Sequence, residues 1–232
     1  MSDILGQAIY NYYHGDKVSK LWIYNRYGPR EEMPVRTYFR DEDDMPDLEW
    51  CALNHCNGSV LDVGAGAGSH SLVLQQWDTA VTALDISTFA TEVMQARGVA
   101  DVLQTDIFAY NARQYDTLLM LMNGIGIAGD LDGLRRFLRH AKTLLLPGGQ
   151  LLFDSSDVAY LYPDGLPEGD YYGQVSYQYA YKGERSDWFS WLYIDEKTML
   201  TIAREEGWQG EVIFEDEYGQ YLAKLHPVSR CK

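Results

Sequence analysis

The sequence predicts an α/β fold with a mostly parallel sheet and helices on both of its faces, and three observations indicate this class. Short apolar runs alternate with helical patterns over residues 59–154, which is typical of parallel strands joined by right-handed helical crossovers. The first of these runs breaks into a glycine-rich turn and then restarts as a helix. An antiparallel hairpin pattern follows near the end of the sequence.

Residues 1–50 are predicted to form an N-terminal arm that acts as a lid, not a fold of their own. The arm is rich in tyrosine, and its short helical patches are interrupted by Gly15, Gly28-Pro29 and Pro34. Asp47 is in position to cap a helix over residues 48–55.

Residues 57–156 form the predicted core. Its apolar runs begin at Val60 and continue at residues 80–86, 101–108 and 115–123. A helix over 131–146 is predicted to end at Pro147-Gly148-Gly149, because proline cannot continue a helix and glycine favours its C-terminus.

Residues 157–194 depart from this rhythm and predict a β insertion on the substrate side. Alternation at 175–181 and again at 188–194 indicates a hairpin. Residues 195–232 then predict a closing helix over 195–206 and strands over 211–217 and 219–224. With 232 residues, the chain is expected to form one domain.

The glycine-rich turn after Val60 carries the first chemical signal. Gly64, Gly66 and Gly68 permit positive φ, so a ligand can lie against main-chain N–H groups at a helix N-terminus. The spacing is GxGxG, whereas the dinucleotide fingerprint is GxGxxG. The turn therefore disfavours NAD, although by itself it is also compatible with a plain strand-to-helix turn.

Polar residues end the runs that follow. Asp85 lies about 20 residues past the turn, where a carboxylate accepts hydrogen bonds from ribose hydroxyls; the alternative is a helix cap. Asp106 and Asn123 end the next two runs. Because parallel strands end at one edge of a sheet, these groups are expected to surround one ligand site.

In this order, the motifs resemble those of the class I S-adenosylmethionine-dependent methyltransferases over residues 59–157. The resemblance implies a Rossmann-like sheet of seven strands, with S-adenosylmethionine as cofactor and S-adenosylhomocysteine as product. It also implies that Asp62 and the backbone of Gly64 and Gly66 hold the methionine part of the cofactor, in a loop that includes Ala65 and Gly68.

The same resemblance implies roles for the later strand ends. Asp85 would bind the ribose and Ile86 would pack on the adenine. Asp106 would accept a hydrogen bond from the adenine amino group, and Ile107 would lie beside the ring. Met122 and Asn123 would face the sulfonium, where the substrate enters.

Candidates for a general base are weaker, since the sulfonium itself activates the methyl group. They are His70, Tyr13, His14, and Asp154 or Asp157, each of which also has a purely structural interpretation. The patterns typical of amino-directed, arginine-directed and metal-dependent catechol methyltransferases are absent from the sequence. A small-molecule acceptor is therefore expected.

Net charge, apolar runs and cysteine spacing restrict the kinds of molecule that the protein is expected to bind. A formal net charge of −15 with scattered basic residues disfavours nucleic acid, and the densest basic group falls on the polar face of the helix predicted over 131–146. No apolar run approaches a membrane span, and no leading signal is evident, so a cytoplasmic monomer or homodimer is expected. Cys51, Cys56 and Cys231 match no metal or disulfide pattern.

Two other functions stay open. One is a non-catalytic sensor or accessory subunit that binds S-adenosylmethionine or S-adenosylhomocysteine, because the binding motifs would be the same. The other is an NAD-dependent short-chain-type oxidoreductase. Its Tyr-xxx-Lys pair should follow the glycine turn, but this spacing occurs only at Tyr13 and Lys17, upstream of it.

Overall fold

The computed structural model of the protein describes residues 3–163 and 165–228; Cys231 lies outside them. The α-helices are α1 (Ile4–Tyr13), α2 (Asp47–His55), α3 (Ser69–Gln76), α4 (Thr88–Arg97), α5 (Leu131–Ala141) and α6 (Glu196–Glu205). The strands are β1 (Leu21–Asn25), β2 (Glu31–Met33), β3 (Val60–Val63), β4 (Val81–Asp85), β5 (Val102–Gln104), β6 (Tyr115–Met120), β7 (Leu145–Ser156), β8 (Gln174–Tyr181), β9 (Glu184–Arg185), β10 (Phe189–Leu192), β11 (Trp208–Glu215) and β12 (Gln220–Pro227).

A seven-stranded sheet has the strand order β11-β12-β7-β6-β3-β4-β5. β4 pairs in parallel with β5, and β6 pairs in parallel with β7. β12 is antiparallel to both β7 and β11. The predicted α/β class, the seven strands and the antiparallel closing hairpin are confirmed.

A smaller sheet has the order β10-β8-β1-β2, with β9 on the edge of β8. β1 is antiparallel to β2 and to β8, and Leu21 lies opposite Tyr181. The inserted hairpin therefore shares a sheet with the N-terminal arm. The prediction of only helical patches in the arm was wrong in this region, because pairing with a distant strand stabilises β1.

The chain divides into two compact units. The first contains the chain through Met45 together with Asp62–Tyr110 and Ser176–Phe189. The second contains Pro46–Leu61, Asn111–Val175 and the chain from Ser190 onward.

In the first unit, α1 packs against α4. At its start, Asp3 accepts hydrogen bonds from the amide of Gly6 and from the hydroxyl of Ser87, the latter at 2.6 Å. At its end, the Tyr13 hydroxyl donates to the carbonyl of Ala96 over 3.1 Å. The core of this unit contains Ile4, Ala8, Ile9, Leu21, Val35, Ala67, Val93 and Tyr181.

In the second unit, α5 buries its apolar side, including Phe137 and Leu138, while its basic side meets α6. The Arg135 guanidinium lies 2.7 Å from a carboxylate oxygen of Glu205. The Arg139 Nε lies 3.4 Å from Glu206. Part of the basic group on this helix is therefore paired with acidic residues of the same unit.

Three local predictions were wrong. α5 ends at Ala141, not at 146, and Pro147-Gly148-Gly149 lies in an irregular part of β7, where pairing with β6 skips from Leu145 to Gln150. The residue that caps α2 is Pro46, and Asp47 is already helical. β5 is shorter than predicted, because the chain turns at Asp106, whose side chain accepts a hydrogen bond from the Phe108 amide.

Among the described residues, no helix combines the length and the apolar character that crossing a membrane requires.

Candidate functional site

The glycine-rich turn of the first unit has three residues in the left-handed region. φ is +72° at Gly64, +58° at Gly66 and +81° at Gly68. A Cβ on Gly64 would meet no atom within 4 Å, so this main chain is open to a ligand. A Cβ on Gly68 would lie 2.8 Å from a methyl carbon of Val99, so this glycine is needed for internal packing.

Hydrogen bonds join this turn to the end of β4. The amides of Gly64 and Ala65 donate to the carbonyl of Leu84 over 2.8 and 3.1 Å. The amide of Gly66 donates to Oδ2 of Asp85 over 2.9 Å. The turn and the predicted ribose-binding carboxylate therefore form one connected structure.

Asp85 is a strong acceptor in a partly enclosed position. Its Oδ1 also accepts a hydrogen bond from the Ser87 amide at 2.9 Å. Burial raises the pKa of Asp85 to about 6, and the nearby carboxylates of Asp3 and Asp62 act in the same direction. The amides of Ser87 and Gly66 oppose this rise, since they favour the ionised form. Each oxygen retains acceptor capacity for a further donor.

Asp62 lies in β3 and is almost fully buried. The hydroxyl of Ser71 donates to its Oδ2 over 2.6 Å. Burial raises the pKa of this carboxyl, and the nearby His70 opposes the rise. Asp62 is thus held rigidly beside the turn.

The residues predicted to surround the adenine differ in exposure. Ile86 is 69% exposed and presents an apolar surface directly after Asp85. Asp106 is exposed, whereas Ile107 is buried in the core. The structure therefore places Ile86 and Asp106, but not Ile107, at the surface of the first unit.

In the second unit, the chain turns sharply after β6. Met122 and Asn123 have φ of +59° and +55°, which is uncommon outside glycine. The amide of Asn123 donates to both carboxylate oxygens of Asp154, over 2.9 and 3.0 Å. Gln220 donates to Oδ2 of Asp154 over 2.9 Å. Asp154 was expected to follow the fifth strand of the core, but it lies fully buried within β7.

Burial raises the pKa of Asp154 to about 6, and the negative charge of Glu49 adds to this rise. The donors Asn123 and Gln220 oppose it. The carboxyl is therefore a hydrogen-bond acceptor within the core of the second unit.

The other candidate bases lie in different surroundings. The Tyr13 hydroxyl donates to the carbonyl of Ala96. His14 is exposed, and the centroid of its ring lies 4.3 Å from the ring centroid of Tyr10. His70 is a buried helical residue, 6% exposed on α3. Asp157 accepts a hydrogen bond from Tyr172 over 2.8 Å.

Sequence reasoning missed several supporting side chains. Ser71 bonds to Asp62, and the charge of Asp3 acts on Asp85, only because folding brings them together, and no local pattern signals either residue. Ser87, two residues after Asp85, has two roles. It caps α4, and its amide also holds Asp85. Among the described residues, no group of three or more histidine, cysteine, aspartate or glutamate side chains is arranged to hold a metal ion.

Comparisons with known proteins show what this chain is similar to. The family described as "Methyltransferase domain" matches residues 60–149. A crystal structure of an S-adenosylmethionine-dependent methyltransferase from Bacteroides fragilis, in complex with S-adenosyl-L-homocysteine, is 41% identical. The match covers 98% of this chain and 95% of that chain, with a TM-score of 0.91.

More distant structures share the fold. The CcbJ methyltransferase of Streptomyces caelestis is 13% identical, covering 81% of this chain and 94% of its own, with a TM-score of 0.63. The sugar N-methyltransferase KedS8 of Streptoalloteichus is 16% identical, covering 84% and 94%, with a TM-score of 0.56. Among curated proteins, none matches this chain.

Proposed function

The chain belongs to the S-adenosylmethionine-dependent methyltransferases, and from this membership we propose that it transfers the methyl group of S-adenosylmethionine to a small-molecule acceptor. The observation that carries the proposal is the hydrogen bond between the glycine turn and Asp85 in the first unit, from the Gly66 amide to Oδ2 of Asp85. A relative 41% identical over nearly the whole chain was crystallised with the demethylated cofactor.

The residues of the first unit fit such a cofactor. The open main chain at Gly64 accommodates its amino-acid part, and Asp85 offers both oxygens to the ribose hydroxyls. Ile86 supplies an exposed apolar side chain for the adenine, and Asp106 supplies an exposed carboxylate for its amino group. Asp62 is assigned to the methionine part.

For Met122 and Asn123, the proposed place near the sulfonium rests on the family resemblance at the end of β6. When bound, S-adenosylmethionine supplies a methyl group that is already activated. The chain's own contribution is to orient the two reactants in line and to exclude water. We assign no general base among Tyr13, His14 and His70.

The small-molecule acceptor is favoured by charge. At a net charge of −15, the protein repels polyanions at long range unless a basic face compensates. Some proteins that share the fold are N-methyltransferases of a sugar or a glycopeptide, but at 16% and 15% identity they show the fold alone. A cytoplasmic location, the lid role of the arm and a monomeric or homodimeric state stay predictions.

Transfer of an isotope-labelled methyl group tests the proposal. The protein is incubated with labelled S-adenosylmethionine in three separate reactions. Each reaction contains one acceptor fraction: low-mass metabolites, total RNA or denatured protein. Label in the low-mass fraction supports a small-molecule acceptor. Label in RNA or protein alone contradicts it, and cofactor binding without transfer to any fraction favours the non-catalytic sensor.

A further inference from the structure

The turn after β6, which we call the β6 corner (Met122–Asn123), is held in an unfavourable backbone conformation. Two consecutive residues with side chains have positive φ, +59° and +55°. Backbone of this kind is strained and persists only where its surroundings fix it. Strain of this kind is concentrated at functional sites. The side chains that hold the corner in place are therefore of interest.

The carboxylate of Asp154 holds the backbone of the corner. Both of its oxygens accept from the amide of Asn123, at 2.9 and 3.0 Å. Gln220 of β12 donates to Oδ2 and so fixes the carboxylate itself. Since Asp154 is 0% exposed, these bonds are not weakened by competition with water.

The side chain of Asn123 is fixed independently of its backbone. Its amide nitrogen donates to the carbonyl of Leu192 over 3.2 Å, and its oxygen accepts from the hydroxyl of Ser155 over 3.0 Å. The same hydroxyl accepts from the amide of Ile194 over 3.0 Å. Hydrogen bonds therefore hold the corner to β7 and to the end of β10.

We propose that Asp154 is a positioning residue that keeps the β6 corner in the conformation required for cofactor binding. This inference rests on the proposed function, in which Met122 and Asn123 face the sulfonium. It also assigns Asp154 a role other than that of a general base. A carboxylate that is 0% exposed and whose two oxygens both accept from internal donors is arranged to hold the backbone.

Calorimetric titration with S-adenosylhomocysteine tests the inference on four proteins: wild type, Asp154→Asn, Asn123→Gly and the double variant. Asp154→Asn conserves the shape but replaces one acceptor oxygen by a donor, so the Asn123 amide loses part of its support. We expect S-adenosylhomocysteine binding to weaken at least about tenfold. Glycine adopts positive φ without strain, so in the Asn123→Gly background the same change should weaken binding less than about threefold.

Asp116→Asn is the matched control. Asp116 lies near the start of β6 and accepts from the amide and hydroxyl of Ser59 over 2.8 and 2.9 Å. This variant removes comparable hydrogen bonds in the same unit but leaves the β6 corner intact. It should lower the unfolding temperature and leave the affinity for S-adenosylhomocysteine within about twofold of wild type.

The results separate the possibilities. If Asp154→Asn folds and binds S-adenosylhomocysteine within about twofold of wild type, the inference is overturned. It is also overturned if Asp154→Asn causes the same loss of affinity in the wild type and in the Asn123→Gly variant. Where Asp154→Asn does not fold by circular dichroism, Gln220→Ala replaces it: several-fold weaker binding supports the role of the carboxylate, and unchanged binding overturns it. Failure of the wild type itself to bind contradicts the proposed function instead.

Discussion

The amide of Gly66 donates a hydrogen bond to Oδ2 of Asp85 over 2.9 Å, which joins the glycine turn to the end of β4. A carboxylate fixed by two backbone amides needs little further ordering when a ligand binds, and such preorganisation favours affinity. The geometry of the proposed ribose site therefore depends on the turn as well as on Asp85 itself.

Removal of the Asp85 carboxylate should strongly weaken cofactor binding. Asp85→Ala removes the acceptor for the ribose hydroxyls and also frees the Gly66 amide. Hydrogen bonds to charged groups contribute about 1.5–3 kcal/mol, so the affinity for S-adenosylhomocysteine should fall by roughly ten- to a hundredfold in calorimetric titration. The control is Asp101→Ala, which removes a carboxylate of the same unit that accepts from Thr82 over 2.8 Å. Equal affinities of the two variants would refute the ribose assignment.

Cofactor affinity should depend on pH between 7 and 5. The pKa of Asp85 is raised to about 6 by burial and by the charges of Asp3 and Asp62. As the pH falls through this value, the carboxylate takes up a proton and loses acceptor strength. Affinity for S-adenosylhomocysteine is therefore full above the pKa and should decrease by about tenfold at pH 5. Asp85→Asn should bind S-adenosylhomocysteine more weakly, and its affinity should depend less on pH. If the affinity of this variant depends on pH as steeply as that of wild type, another group is responsible for the titration.

The glycines of the turn should differ in what they contribute. A methyl group at position 64 would meet no protein atom but would occupy the open space proposed for the cofactor, so Gly64→Ala should abolish most binding of S-adenosylhomocysteine. Because φ is +72° there, the free energy of unfolding should also fall, by about as much as in Gly98→Ala. Gly98→Ala is the control, since its φ is +94° and its Cβ also meets no atom within 4 Å. Similar affinities of both variants would show that the cofactor does not approach Gly64.

Replacement of Gly68 should instead lower the stability of the fold. Its Cβ would lie 2.8 Å from Val99 and 3.0 Å from Met94, and φ is +81°. Gly68→Ala should lower the free energy of unfolding by about 1–3 kcal/mol, measured by urea denaturation. A variant as stable as wild type would mean that this packing readily relaxes.

The docking of α1 on α4 depends on the absence of a side chain at Gly6. A Cβ there would lie 2.1 Å from the Ser87 hydroxyl oxygen, which bonds to Asp3. Gly6→Ala should therefore displace α1 and lower the free energy of unfolding by about 1–3 kcal/mol, with faster amide exchange in α1. Gly28→Ala, whose Cβ would come no closer than 3.8 Å to Asn25, should change neither quantity. Unchanged exchange in Gly6→Ala would contradict the proposed close packing.

The fold, and the positions of the glycine turn and Asp85 at the ends of β3 and β4, were predictable because their signals are local. The glycine turn, Asp85 and the strand pattern around them lie within short stretches whose backbone requirements are visible in residue type. The apolar face of α5 was equally visible from its spacing, although its end was not. The helix stops at Ala141 because the chain then tightens into the 3₁₀ helix Lys142–Leu144.

The remaining features depend on contacts between distant parts of the sequence. β1 forms by pairing with β8, where Trp22 lies opposite Ala180, and neither segment alone signals this partner. The contact of Asp154 with Asn123 likewise requires β7 to lie beside β6. From sequence alone Asp154 was therefore a candidate base, whereas its buried donors indicate a positioning role.

A crystal structure of the protein with S-adenosylhomocysteine tests the central claim most directly. The account predicts that the Asp85 carboxylate accepts hydrogen bonds from both ribose hydroxyls, at about 2.5–3.0 Å, while the adenine lies against Ile86. A bound ligand whose ribose contacts other residues, with Asp85 bonded only to Gly66 and Ser87, would contradict it.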